Sequence, residues 1–151
     1  MPKIEYVTVA DHAEVVNNKL YLMGGGWDAI VQPVGPDGKP QVVHMAIAAS
    51  VQIGWNETNR RFPFRISVLH EDGMQLGRME AQVEAGRPAG IPPGWELRTM
   101  VALGMNLTFP QLGIYEVRAE VGDEEHSGDQ RSVSFRVNPA PFQMVAPPMP
   151  A

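Results

Sequence analysis

The chain's proton carriers and metal ligands are few. It has four histidines (His12, His44, His70 and His126) and, in 151 residues, no cysteine, so thiol nucleophiles and thiolate zinc sites are excluded. No two histidines stand at i, i+2 or i, i+4, the spacings that put two imidazoles on one strand or helix face. The densest constellation is Asp11-His12, which could meet residues 24–28 in a small-ligand or metal site, or in a hydrolase, if the fold brought them together. The opposing reading puts His12 in a turn and His126 in a solvated hairpin loop. It leaves His44 and His70 on strands, where an imidazole finds a backbone partner. No serine occupies a G-x-S-x-G elbow. The acidic pairs Glu71-Asp72 and Asp123-Glu124-Glu125 belong to turns, where solvation withholds the burial that general acid/base work requires. The spacing Gly24-x-Gly26-x-x-Ala29 imitates a dinucleotide fingerprint, but Pro33, Gly35 and Pro36 follow where a phosphate-binding helix would have to begin. The expectation is no catalytic residue, no metal and no cofactor.

Binding is the other chemistry open to such a chain. Trp27 and Trp95 stand in glycine-bounded loops and could face a sugar or a protein, whereas Trp55 falls in phase with a buried set. Residues 139–151 carry no charge, and their prolines pre-set an extended backbone. Phe142 and Met144 would be paired apolar anchors there, on the same or a neighbouring subunit.

The elements that must position these residues read as strands. Tyr115, Val117, Ala119 and Val121 alternate with Glu116, Arg118 and Glu120, and Val133, Phe135 and Val137 alternate with Ser132, Ser134 and Arg136. Upstream, Val43, Met45, Ile47, Ala49, Val51, Ile53 and Trp55 form one apolar set. The opposite face, His44, Ala46, Ala48, Ser50 and Gln52, is small or polar enough to be closely approached by a crossing loop, the tail or a second subunit. Residues 11–14 read as a turn, Asn17-Asn18 as a two-residue hairpin turn, and residues 33–40 and 86–94 as loops. Gln111 to Val117 resembles the tyrosine corner of immunoglobulin-like sandwiches, with Val117 in place of the core cysteine. The period-2 pattern predicts an all-β, antiparallel, immunoglobulin-like sandwich of eight or nine strands over residues 1–138, with a proline-rich tail at 139–151.

The run Ala10-Asp11, Ala13, Lys19-Leu20-Tyr21 and Gly24-Gly25-Gly26-Trp27 resembles the opening of a family of short bacterial proteins of unknown function, common in actinobacteria. That resemblance implies a small cytoplasmic β-sandwich and supplies no catalytic residue.

Composition agrees with an all-β chain: 15 glycines and 14 prolines suit frequent turns. A length of 151 residues suffices to bury roughly 70% of the unfolded surface without staples. The net charge of −5 is mixed along the chain and leaves no basic stripe for nucleic acid. No apolar run reaches a membrane span, and no leader pattern opens the chain, so a cytoplasmic protein is expected. The leading function is a noncatalytic sandwich that binds a protein partner or itself, as a homo-oligomer, through a sheet face, a strand edge or the tail. Buried tryptophans would remove the sugar reading, and scattered histidines the metal one.

Overall fold

The computed structural model describes residues 1–122 and 128–140. Nine strands and a single 3-10 turn, Trp55–Glu57, follow in order: β1 Lys3–Val16, β2 Lys19–Gly25, β3 Ala29–Val31, β4 Val43–Ile53, β5 Phe62–His70, β6 Gln75–Val83, β7 Leu97–Leu107, β8 Gly113–Val121 and β9 Asp129–Asn138. They form two packed sheets, ordered β2-β1-β4-β7 and β3-β9-β8-β5-β6. Every pairing is antiparallel except β3 with β9, which is parallel. Three residues are too few to carry a readable alternation, so the parallel pairing left no trace in the sequence pattern.

The alternating residues make the core. Met45, Ile47, Ala49, Val51 and Ile53 of β4 face Phe64, Ile66 and Val68 of β5 and Tyr115, Val117, Ala119 and Val121 of β8, all nearly inaccessible. One end of the core is aromatic. Tyr115 stacks on Phe135 at 5.8 Å, Phe109 meets both rings edge-on, and Trp27 meets Phe135 edge-on at 5.3 Å. The tyrosine corner is present: Tyr115 Oη donates to the Gln111 carbonyl at 2.7 Å. His70 packs edge-on against Tyr115 at 4.9 Å, and its Nε2 donates to the Leu112 carbonyl at 3.0 Å.

The turn expected at residues 11–14 does not exist, because β1 runs through it to Val16. From His12↔Met23 to Val16↔Lys19 the chain ladders with β2, and this offsets the weak strand preference of Glu14. The chain turns instead at Asn17 and Asn18, whose φ of 52° and 54° suit a two-residue hairpin. Ala10 is the last β1 residue paired to β4, and beyond it β1 has only β2 as a partner. Gly24 lies opposite that departure at φ 60°, a backbone that glycine adopts without strain, and a Cβ there would have to displace the Asp11 carboxylate, 2.3 Å away.

Candidate interaction surface

The free part of β1 and β2 forms a two-stranded arm whose tip returns to the far edge of its own sheet. Asn18 Nδ2 donates to the Arg98 carbonyl at 2.8 Å, and the Met100 amide donates to Asn18 Oδ1 at 3.0 Å. Arg98 and Met100 belong to β7, two strands away from β1 in the sheet order. The arm must therefore double back across the sheet between them. Ala46, Ala48 and Ser50 point away from the core on β4, yet they are 0–1% exposed. What closely approaches the small-residue face is thus the arm, an intrachain crossing. Beneath the tip, Glu5 receives Arg98 Nε at 2.6 Å and hydrogen bonds from Ser50 and Gln52. The Arg98 hydrogen bond above all holds the Glu5 carboxyl below the usual range.

This geometry covers one surface and presents another. Val16, Tyr21, Leu22 and Met23 are 47%, 53%, 41% and 66% exposed, and Val15 is 38% exposed. Leu20 to Met23 is an unbroken apolar run on a strand with solvent at both faces. The other large outward surface differs in chemistry. On β5, β8 and β9 the outward positions include Arg65, Glu116, Arg118, Glu120 and Ser134 beside the apolar Leu69 and Ile114, with ion pairs Arg65–Glu120 at 3.4 Å and Arg118–Glu116 at 3.2 Å. A solvated mosaic of that kind contributes little binding energy, whereas contiguous exposed apolar side chains mark contact sites.

The anticipated site residues scatter. Trp27 is half-buried against the core, its ring edge-on to Phe135, and so is no ligand platform. Trp95 is 59% exposed. Trp55, expected at the end of the β4 apolar set, lies beyond it in the 3-10 turn, half-buried under the Arg87 guanidinium at 3.8 Å. Phe142, Met144 and His126 lie outside the described residues. His12 and His44 do approach, with ring centroids 6.4 Å apart, but each already has a polar partner, Glu14 at 2.9 Å and Asn106 at 2.9 Å. Among the described residues no three His, Asp or Glu side chains converge on a point that could hold a metal. Of residues 24–28, Gly24 lies beside Asp11 across the β1–β2 hairpin, in a strand and its bend rather than in a turn and a loop. The residues that form the surface, Val16 and Tyr21 to Met23, were not singled out as a site. Their signal was the loss of alternation at Leu20 to Met23.

A surface cavity of about 460 Å³ is lined by Leu69, His70, Glu71, Ile114, Glu116, Arg118 and Ser134 among others. His70 is engaged at both nitrogens, on the Leu112 carbonyl and on Asp72, whose amide lies 3.2 Å and carboxylate 3.0 Å from Nδ1. The Leu112 hydrogen bond chiefly raises its pKa, and burial opposes that. The imidazole braces the corner and has no nitrogen free for a substrate.

Among the described residues no helix is long and apolar enough to cross a membrane. In solved structures the fold is similar to a segment of a glycosyl hydrolase family 2 member from Bacteroides cellulosilyticus (TM-score 0.52, 11% identity, 88% of this chain and 15% of that one). A family 2 β-glucuronidase gives TM-score 0.49 at 15% identity, over 88% of this chain and 12% of that one. The chain thus spans less than a sixth of either hydrolase, and at these identities the likeness concerns the sandwich alone. No curated protein sequence matches. Residues 5–138 match the model of a family of unknown function, DUF6941, and the chain belongs to that family.

Proposed function

We propose that the protein is a noncatalytic cytoplasmic binding module whose contact surface is the apolar β1–β2 arm. The observation that carries this is the run Leu20 to Met23, with three of its four side chains more than 40% exposed on a strand that has no partner on its outer side among the described residues. The noncatalytic part is supported by the fates of the titratable groups. Glu5 is paired with Arg98, His70 braces the corner, and Glu116 is paired with Arg118. Each is held by a partner, including His70 and Glu116 where they line the cavity.

A photoreactive phenylalanine analogue at Tyr21, introduced in the native cell, tests the reading, with Arg78 on β6 as the control position. Protein adducts from position 21 and none from 78 are expected. Equal yields, or adducts from 78 alone, would overturn it, and fractionation of the same cells checks the compartment.

A further inference from the structure

We propose that the outer edge of β2 pairs antiparallel with β2 of a second copy of this chain, joining two sheets of order β2-β1-β4-β7 across a two-fold axis. This rests on the arm being the contact surface and names the partner. The two Asn-turn residues make Val16 and Lys19 the closing hydrogen-bonded pair, so Lys19, Tyr21 and Met23 direct their backbone groups at β1. Leu20 and Leu22 direct theirs outward, and among the described residues nothing bonds to them.

The other edges of the sandwich carry the devices by which proteins prevent such pairing. The β7 edge is capped at Arg98 and Met100 by the Asn18 amide. β3 is three residues long and closely followed by Pro33. β6 carries Arg78 and Glu80, paired at 2.8 Å. The free side of the β1 arm carries Asp11 and Glu14. Among the described residues, β2 from Leu20 to Gly25 has no charge, proline or cap along its outer edge.

The pattern is also self-complementary. A two-fold through Leu22 sets Leu22 opposite itself, Tyr21 opposite Met23 of the second copy and Lys19 opposite Gly25, so no like charges meet and an aromatic ring faces a thioether. Leu22, and Leu20 opposite Gly24, present the outward backbone groups that this register needs. Taking roughly 180 Å² for a large side chain, the five exposed apolar residues offer on the order of 450 Å² per copy. That is about half the ~800 Å² per partner of a standard stable interface, so the dimer is a reversible one that forms with concentration.

Light scattering on the purified full chain across the micromolar range reads the outcome. The mass should climb from 16.6 kDa toward twice that value with concentration. Leu22→Pro removes one outward N–H at an edge position that tolerates proline and should stay monomeric with unchanged circular dichroism and melting temperature. Leu22→Lys, which keeps the N–H and adds like charge at the axis, should also stay monomeric. A parent that is monomeric throughout overturns the pairing. If such a monomer still crosslinks from position 21 in cells, the arm remains the contact surface and only the second copy is wrong. A parent that dimerises only after residues 139–151 are removed would show the chain's own tail on this edge, and would also overturn the pairing.

Discussion

Asn18→Gly should release the arm without disturbing its turn. The substitution removes both hydrogen bonds to β7 while keeping a residue at ease at φ 54°, so turn strain does not confuse the result. Each bond is worth about 0.5–1.5 kcal/mol net, and because Asn18 is exposed we take the lower half, about 1.5 kcal/mol for the pair. The chain has no cysteine, so Ala48→Cys places a single thiol at a position that is 0% exposed and lies under the arm. If labelling needs the arm to open, its rate reports the opening equilibrium, and about 1.5 kcal/mol corresponds to roughly tenfold faster labelling with Asn18→Gly. The assay is thiol modification followed by absorbance, compared with the same thiol in denaturant. Equal rates with and without Asn18→Gly would refute the clasp. A thiol as reactive in the folded chain as in denaturant would refute the covering itself.

Other substitutions probe the sandwich. Tyr115→Phe should lower stability by about 1 kcal/mol or somewhat more in urea unfolding, since the Gln111 carbonyl loses its buried donor; an unchanged midpoint would remove the corner from the account. Val51→Asp should unfold or aggregate the chain and Gln52→Asp should be tolerated, as the first faces the core and the second is only part-buried; solubility and circular dichroism decide. His70 has a folded pKa raised above its ordinary value of about 6.5, so its stabilisation is fully present below that pH and fades as pH rises through the folded pKa. His70→Gln should therefore lose the part of the stability–pH profile that declines from mildly acidic to mildly basic pH, and a profile that keeps the decline would place its origin elsewhere.

Residues whose two sides meet different solvents were the legible ones. Val117 against Arg118, Val51 against Gln52 and Phe135 against Arg136 each carry one apolar and one polar face, and those strands were found in register. The corner was legible because Tyr115 and Gln111 are four residues apart, so the bond is local. The arm was not. Both its faces leave side chains exposed, so Asp11 and Glu14 resembled a turn and Leu20 to Met23 showed no alternation. Its route over Ala46, Ala48 and Ser50 depends on Asn18 meeting residues 80 and 82 positions away, and no local pattern encodes that contact. The small side chains of that face did announce a close approach, though not which segment makes it. Trp27 reads as a loop residue by its glycines and is half-buried because β3 joins the opposite sheet from β2.

The most direct measurement on the contact surface is amide hydrogen exchange at Leu20 and Leu22, whose N–H groups point away from β1. In the dilute purified chain they should exchange at nearly the free rate, while Tyr21 and Met23, bonded to β1, are protected. Raising the concentration, or adding extract of the native cell, should slow Leu20 and Leu22 and leave Tyr21 and Met23 little changed. Exchange of Leu20 and Leu22 at the free rate under both conditions would contradict an interaction surface on this edge.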